Sequence, residues 1–238
     1  MKKMEILYLS RNDVAGTELT MKDIIATVEK GFAELGAGRV EMPPKPGIHP
    51  GKGGNNFIHA MPAYIPALES AGIKWVSGYP GNPDRGLPYI TGLLILNDPE
   101  TGVPKAVMDC VWITAMRTGA ASAVSAKYLA RPESSTIGIL ACGVQGHTHL
   151  EAMHALFPLK TVKAYDVRNE SAERLARTAA DRFGLAVEIV TNPREAVSGC
   201  DIVITSGPIL KIPHATIQAG WLEEGSFVSC VDFDSYWS

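Results

Sequence analysis

The sequence of 238 residues predicts an α/β protein with two domains of different texture. The second half alternates short apolar runs with amphipathic segments, which is the pattern of a parallel sheet with helices on both faces. The first half is rich in Gly and Pro and indicates strands joined by longer loops. We therefore expect an α+β domain over 1–130 and an α/β domain over 131–238, divided at Arg131-Pro132-Glu133.

Composition and charge exclude several classes of function. With 22 basic and 25 acidic residues the net charge is −3, so there is no electrostatic case for binding nucleic acid or an anionic membrane. No apolar run approaches the ~18 residues of a membrane span, and the start lacks the apolar core of a signal peptide. The 4 cysteines are widely spaced, which disfavours disulfides and a zinc site and fits a reducing cytoplasm.

The first half predicts one early helix and a set of strands. Thr20 is a candidate N-cap with Asp23 at the capping-box position, an apolar face follows, and Gly36 can end the helix. The last two predicted strands flank the turn-forming residues 97–102, so we expect them to form a hairpin. The four strand-like runs are 56–61, 72–77, 89–96 and 103–109.

A longer helix is predicted over 111–130, before the domain boundary. It carries a stripe of small residues that permits close packing against a sheet or another helix. The members of this stripe are Ala115, Gly119, Ala120, Ala123 and Ala126.

The second half predicts five strands separated by helices. One helix starts near Gln145, a second is capped by Asn169 and ended by Gly184, and a short third starts at Asn192-Pro193. The strands are 135–141, 161–166, 186–190, 201–205 and 226–231.

The turn after the first of these strands reads Ala141-Cys142-Gly143-Val144-Gln145-Gly146, an A-x-G-x-x-G pattern. In a Rossmann dinucleotide-binding domain such a loop brings a pyrophosphate onto a helix N-terminus. Asp166 ends the next strand, where an acid accepts hydrogen bonds from the adenosine ribose and favours NAD; Arg168 nearby keeps NADP open. The alternative is a tight turn and a solvated aspartate.

Lys74 and Arg117 are charged residues in apolar or small-residue segments, where a charge is costly unless it is paired or faces a site. If both faced one cavity between the domains, they would clamp a substrate carboxylate. The alternatives are a surface-facing strand lysine and a buried arginine paired with a carboxylate such as Asp109.

Asp232 and Asp234 follow the last strand, where ligands of open α/β sheets bind, so either is a candidate for handling a substrate amine. The alternative is a turn or helix-capping aspartate. His59 is interpreted as a core histidine rather than a cavity residue. We reject a metal site at the remaining candidates because none has i, i+4 spacing; they are His147, His149 and His154.

These residues together resemble the ornithine cyclodeaminase/mu-crystallin family. The resemblance extends in order and spacing through nearly the whole chain and is far more specific than the glycine loop alone. The stretches that carry it are 72–80 (GIKWVSGYP), 92–104 (GLLILNDPETGVP), 114–123 (TAMRTGAASA) and 138–146 (GILACGVQG).

The resemblance implies roles for individual residues. Lys74 and Arg117 match residues that hold the substrate carboxylate, and Thr91 matches one near the nicotinamide end of the cofactor. Asp234 matches the carboxylate that handles the substrate amine, which mu-crystallin-type members lack, so its presence favours an enzyme. The cofactor loop implied is Gly143, Val144, Gln145 and Gly146, with Asp166 and Arg168 beyond it.

The chain also departs from the family pattern. Lys45 stands where cyclodeaminases tend to have an arginine, so its contact with a carboxylate would be monodentate. Ala141 and Gly146 invert the small residues of the usual loop, and Asp232-Phe233 replaces Gly-Ala before Asp234. Family members continue beyond the equivalent of Ser238 for several helices, so we expect the family's C-terminal segment to be absent here.

The function implied is that of an NAD-dependent enzyme that oxidises an L-amino acid at Cα to an imine. Cyclisation with loss of ammonia, as from ornithine to proline, is the first expectation. The alternatives are an alanine-type dehydrogenase or cyclic-imine reductase, and a non-catalytic mu-crystallin-like NAD-binding protein. A Rossmann oxidoreductase on an unrelated substrate is a weaker alternative. A homodimer formed through the first half is also expected, because that half has too few helices to cover both faces of its sheet.

Overall fold

The computed structural model describes residues 5–51, 55–210, 212–233 and 235–237. The chain divides into two compact units, of which the first comprises Met1–Thr20 and Ala26–Thr114. The second comprises Met21–Ile25 and Ala115–Ser238. Within the described ranges, no helix has the length and apolar character needed to cross a membrane.

The first unit contains a six-stranded mixed sheet in the order β1-β6-β5-β4-β3-β2. All neighbouring strands are antiparallel except β1 and β6, which are parallel. The four predicted strands are confirmed as β3 to β6, whereas the short β1 and β2 were not predicted. The strands are β1 (Leu7–Leu9), β2 (Gly47–Ile48), β3 (Phe57–Ile65), β4 (Ser70–Gly78), β5 (Ile90–Asn97) and β6 (Pro104–Asp109).

Two helices lie between β1 and β2 in the chain. The short α1 (Arg11–Ala15) was not predicted and begins with a capping box between Ser10 and Asp13. The predicted helix is confirmed as α2 (Met21–Gly36). Its apolar face is buried near its start, at Ile25, and is exposed further along, for example at Phe32.

The predicted hairpin between β5 and β6 is confirmed. Asp98 accepts the backbone N–H groups of Glu100 and Thr101 through Oδ1, and Asn97 Nδ2 donates to the carbonyl of Gly102. Gly102 has φ +72°, a left-handed conformation that favours glycine. The turn is therefore fixed by local side-chain chemistry, which is why the sequence predicts it well.

The predicted long helix is α3 (Val111–Leu129), and the division between the two units falls inside it. Its start is fixed by Asp109, whose Oδ1 accepts the backbone N–H of Val111 at 2.9 Å. The small-residue stripe is largely buried. A Cβ added at Gly119 would lie 2.6 Å from the carbonyl oxygen of Thr148, so glycine allows two helix backbones to approach closely.

The second unit contains a five-stranded parallel sheet in the order β11-β10-β7-β8-β9, which confirms the predicted Rossmann-type alternation. The strands are β7 (Thr136–Leu140), β8 (Thr161–Tyr165), β9 (Ala186–Ile189), β10 (Ile202–Thr205) and β11 (Phe227–Cys230). The helices between them are α4 (Val144–His154), α5 (Asn169–Phe183) and α6 (Pro193–Val197).

The predicted ends of these helices are mostly confirmed. Asn192 caps α6 by accepting the N–H of Glu195, and Gly184 ends α5 with φ +66°. The prediction that Asn169 caps α5 is wrong, because Asn169 is the first helical residue and the capping position is Arg168. The Asn169 side chain instead donates to Glu173 one turn further on.

The core of the second unit is apolar, with Ile137, Ile139, Ile202 and Ile204 fully buried on the central strands. Hydrogen bonds and an ion pair of one carboxylate connect the starts of β7 and β10. Asp201 accepts the N–H groups of Ser135 and Thr136 through Oδ2 and pairs with Arg131 at 2.6 Å through Oδ1. This carboxylate therefore holds the amino-terminal edge of the sheet together, opposite to the edge where ligands bind in such folds.

The sheet of the first unit has one face with large exposed apolar side chains. Trp75 on β4 and Leu93 on β5 are paired neighbours and are 50% and 48% exposed. Tyr8 pairs with Val107 and is 77% exposed. Adjacent exposed aromatic and aliphatic side chains on a sheet are typical of a surface that binds another protein.

Candidate active site

The loop between β7 and α4 contains a strained residue at its first position. Ala141 has φ +72°, the left-handed conformation that the fingerprint's usual glycine adopts without strain. The backbone N–H of Ala141 donates to the carbonyl of Tyr165, and the Ser206 hydroxyl donates to the carbonyl of Ala141. These two bonds from neighbouring strands hold the turn although alanine replaces glycine.

The two glycines of this loop differ in what surrounds them. A Cβ at Gly146 would lie 2.7 Å from the carbonyl oxygen of Ala141 and 3.3 Å from Ile139 Cγ2, so the fold itself needs glycine there. A Cβ at Gly143 would meet nothing within 4 Å. Packing within the protein therefore does not explain why residue 143 is glycine. The close approach of a pyrophosphate to the backbone at Gly143 does explain it.

The first turn of α4 offers unused donors at the same place. Gly143 is the N-cap residue and supplies no side-chain hydrogen bond. In the part of the chain that the structure describes, the N–H groups of Gly143, Val144, Gln145 and Gly146 have no hydrogen-bond partner. The buried Oε1 of Gln145 also has no partner there. Free N–H groups at the positive end of a helix fit a dinucleotide pyrophosphate.

Asp166 lies directly after β8, and its carboxylate is fixed toward the loop. Oδ2 accepts the N–H of Cys142 at 2.8 Å, and Oδ1 accepts the N–H of Arg168 at 2.8 Å. Each oxygen keeps a further lone pair, and the side chain is only partly buried. The position and the remaining acceptor capacity fit the ribose hydroxyls of NAD, while Arg168 is exposed beside it.

His149 is a structural part of this loop that the sequence did not reveal. The ring is fully buried, with Nδ1 2.7 Å from the carbonyl oxygen of Gln145 and Nε2 2.9 Å from Ser122 Oγ. Burial lowers the pKa of His149 to about 4, so the ring is neutral and donates from Nδ1. Ser229 donates to Ser122, which connects α4, α3 and β11.

Lys74 and Thr91, both predicted as site residues, lie on opposite faces of the sheet in the first unit. Lys74 pairs with Met61 and Leu94, which places it on the face that also carries His59. Thr91 pairs with Ser77 on the other face, where their hydroxyl oxygens are 2.9 Å apart. The structure therefore does not bring Thr91 beside Lys74.

The predicted substrate residue Lys45 lies in the segment before β2 and is exposed. Its charge nevertheless acts on His59, which lies on the same sheet face as Lys74. Burial lowers the pKa of His59 most, and the charges of Lys45, His49 and Lys74 lower it further. His59 is only partly buried and stacks on Phe57 with ring centroids 4.5 Å apart.

Arg117 lies on the part of α3 that belongs to the second unit, and it is exposed. The alternative interpretation, a buried arginine within a core, does not match this exposure. Asp109, its suggested partner, uses one carboxylate oxygen to cap α3. Within this helix, Arg117 therefore occupies a solvent-accessible position, as a ligand-binding guanidinium must.

Of the two aspartates after β11, the structure describes only Asp232, and it assigns that residue a structural role. Asp232 is buried, accepts the Thr205 hydroxyl at 2.8 Å and the N–H of Gly207 at 3.0 Å, and has its pKa raised by burial. It therefore fixes the ends of β10 and β11 to each other, which supports the interpretation of a turn aspartate. Asp234, predicted as the catalytic carboxylate, lies outside the described residues.

Comparison with known proteins adds independent information. The alanine dehydrogenase of Archaeoglobus fulgidus is 40% identical over 231 residues, which are 97% of this chain and 68% of that protein. The solved structure of an archaeal alanine dehydrogenase dimer with bound NAD has a TM-score of 0.86 and 39% identity, over 94% of this chain and 67% of that one.

Two further solved structures are similar. The Δ1-pyrroline-2-carboxylate reductase of Thermococcus litoralis, in complex with NADH and L-proline, has a TM-score of 0.88 and 38% identity, covering 94% of this chain and 68% of that one. A lysine cyclodeaminase that recognises L-lysine, L-ornithine and L-2,4-diaminobutyric acid has a TM-score of 0.78 and 34% identity, covering 94% and 65%.

The chain thus spans about two thirds of the length of the relatives that it matches. Residues 4–236 match the ornithine cyclodeaminase/mu-crystallin family, which covers nearly the whole chain. The resemblance read from the sequence is therefore confirmed: this chain belongs to the ornithine cyclodeaminase/mu-crystallin family.

Proposed function

We propose that this chain is an NAD-dependent oxidoreductase that interconverts an L-amino acid and the corresponding imine at Cα. The observation that carries the proposal is the loop before α4, where Gly143 is open and where N–H groups without a partner among the described residues lie beside the anchored carboxylate of Asp166. The activities named for the relatives support chemistry on amino acids or cyclic imines.

Among the possible reactions, a dehydrogenase or a cyclic-imine reductase is better supported than a cyclodeaminase. The alanine dehydrogenase and the pyrroline-carboxylate reductase share 38–40% identity with this chain, and the lysine cyclodeaminase shares 34%. This reverses the order expected from the sequence, which placed ornithine cyclisation first. Cyclodeamination remains a second candidate because of the lysine cyclodeaminase.

The cofactor-binding residues of the proposal are those of the second unit. The N–H groups at Gly143, Val144 and Gln145 bind the pyrophosphate, and Gly146 keeps α4 close to β7 so that they point outward. Asp166 accepts the ribose hydroxyls and repels a 2′-phosphate, which favours NAD over NADP. NAD, when bound, exchanges a hydride with Cα of the substrate.

The substrate-binding residues of the proposal are cationic. Lys45, Lys74 and Arg117 bind the α-carboxylate, because ammonium and guanidinium groups donate charge-assisted hydrogen bonds to it. Thr91 is assigned to the nicotinamide end by resemblance to the family alone, because it lies on the sheet face opposite Lys74. Asp234 accepts a proton from the substrate amine or from the attacking water, as a carboxylate base can near neutral pH.

We further propose a homodimer formed through the first unit. The exposed pair Trp75 and Leu93 gives its sheet an apolar face that a second copy would cover. The archaeal alanine dehydrogenase of the same family is a dimer.

A panel of L-amino acids and cyclic imines tests the reaction, with absorbance of NADH and release of ammonia measured in parallel. A dehydrogenase forms NADH and ammonia together, whereas a reductase consumes NADH on a cyclic imine without ammonia. A cyclodeaminase releases ammonia with no net change in NADH. NAD binding without any turnover, with Asp234→Asn indistinguishable from the parent, would instead indicate a mu-crystallin-like binding protein.

A further inference from the structure

One face of the sheet in the first unit carries His59 and Lys74, and Lys45 and His49 lie close enough to act on His59 electrostatically. We call these four side chains the basic face. The pairing of Met61 with Lys74, together with strand alternation, places His59 and Lys74 on the same side of the sheet. His49 approaches His59 edge-on, with ring centroids 6.0 Å apart.

The imidazole of His59 is held in a fixed position. Its ring stacks on Phe57, and a Cβ added at Gly47 would lie 2.2 Å from His59 Cδ2, so the ring lies directly over the glycine. Packing on two sides restricts rotation of the side chain, which is the arrangement needed to aim a ring nitrogen at a ligand.

The ring nitrogens of His59 are nevertheless unused. Over residues 5–51, 55–210, 212–233 and 235–237, neither nitrogen has a hydrogen-bond partner. Lys45 has no ion-pair or hydrogen-bond partner over the same ranges. The charged or titratable groups that act on His59 are Lys45, His49 and Lys74, and all of them disfavour its protonation. A partly buried, immobilised imidazole among basic groups matches an anionic ligand.

We propose that His59 is a specificity-determining residue that donates a ring N–H to a second carboxylate, on the side chain of the substrate. The proposal rests on the proposed function, in which Lys45, Lys74 and Arg117 already bind the α-carboxylate. The substrate class is then a dicarboxylic amino acid or its imine. Lys45 supplies positive potential near His59 that also offsets desolvation of the second carboxylate.

Binding of an anion at His59 would change the pKa of its ring, which NMR can measure. Without ligand, burial and the neighbouring cations hold the pKa of His59 below its usual value. An anion bound at His59 favours the protonated ring and raises that pKa. A histidine that only packs on Phe57 would respond equally to a monocarboxylate and a dicarboxylate, since either one offsets the charges of Lys45 and Lys74.

The test compares the parent with His59→Phe, which keeps the stack on Phe57, and His59→Gln, which keeps a hydrogen-bond donor. Calorimetry in the presence of NADH measures binding of L-glutamate against L-glutamine and of L-aspartate against L-asparagine. The parent is expected to prefer the acidic member of a pair by about tenfold or more, as for a hydrogen bond to a charged group. His59→Phe is expected to lose this preference and His59→Gln to keep part of it, with the Kd for NADH unchanged.

An NMR titration of the His59 ring with and without succinate provides the second measurement, because it needs neither turnover nor an amino acid. The titration is repeated with acetate, which has one carboxylate, and a larger rise in the pKa of His59 with succinate than with acetate supports the subsite. Equal binding of acid and amide by the parent, a preference retained in His59→Phe, or a pKa of His59 that succinate raises no more than acetate would each overturn it. Turnover of neutral amino acids alone, with NAD bound, would refute this subsite and leave the proposed function intact.

Discussion

Replacing one or the other glycine of the cofactor loop with alanine distinguishes an effect on NAD binding from an effect on folding. Each change, at Gly143 or at Gly146, adds one methyl group. In Gly146→Ala the new Cβ meets the backbone carbonyl of Ala141 at 2.7 Å, which cannot move without disturbing the turn. In Gly143→Ala the Cβ meets nothing within 4 Å, and φ −79° with ψ −161° is accessible to alanine. The first change therefore perturbs packing, and the second changes only the surface offered to NAD.

The expected magnitudes follow from these contacts. Overpacking in Gly146→Ala costs about 1–3 kcal/mol, partly offset by the roughly 1 kcal/mol that alanine gains over glycine in a helix. Gly143→Ala leaves the free energy of unfolding unchanged or raises it by about 0.4–1 kcal/mol, because alanine restricts the unfolded chain. The same methyl group obstructs the pyrophosphate, so we expect the Kd for NAD to rise at least tenfold, or about 1.4 kcal/mol.

Thermal unfolding without ligand and calorimetric titration with NAD measure the two effects separately. Gly143→Ala should unfold at the parent's temperature and bind NAD weakly, whereas Gly146→Ala should unfold at a lower temperature. Parent-like NAD binding by a well-folded Gly143→Ala would refute the reasoning, since the loop would then not lie against the pyrophosphate. Parent-like stability of Gly146→Ala would contradict the packing argument.

The other predictions concern the cofactor, the substrate, pH and assembly. Asp166→Asn should narrow the preference for NAD over NADP, since it removes the charge that repels a 2′-phosphate; tighter binding of NADP than NAD by the parent would contradict this. Arg117→Ala should lower kcat/KM about 10- to 100-fold with the Kd for NAD unchanged, whereas exposed Arg177→Ala on α5 should change neither. Burial gives His149 a pKa of about 4 in the folded protein, against the ordinary histidine value of 6.5. The unfolded chain therefore binds more protons between these two values, and stability falls as the pH is lowered through that window. The parent should therefore lose about 3 kcal/mol more than His149→Asn between pH 7 and pH 4 in urea unfolding. Trp75→Glu places a charge on the exposed apolar face, so sedimentation should show a dimer for the parent and a monomer for the variant. A parent that sediments as a monomer would contradict the proposed dimer.

The features predicted correctly are those that local sequence specifies. The turn at Asp98 and Gly102, the cap at Asn192 and the end of α5 at Gly184 each depend on side chains within a few residues. Alternation of apolar runs similarly specifies a parallel sheet, and the glycine loop follows from strand, turn and helix in succession. The error at Asn169 is one of a single residue, because the helix begins at Asn169 and Arg168 occupies the capping position without a side-chain hydrogen bond.

The tertiary structure decides what depends on contacts between distant segments. Whether Thr91 shares a face with Lys74 depends on the register between β4 and β5, because a shift of one residue exchanges the faces. Asp232 becomes a structural carboxylate only because Thr205 and Gly207 come from another strand end. His149 is neutral because the fold buries it, and Ser122 of α3 contacts its Nε2. The sequence by itself thus determined the family, the order of elements and the cofactor loop, through local periodicity and turn chemistry. Only the fold decided which polar residues are buried partners and which, like His59, have a ring nitrogen without a partner in the described part of the chain, since burial and pairing are set by the packing of the whole unit.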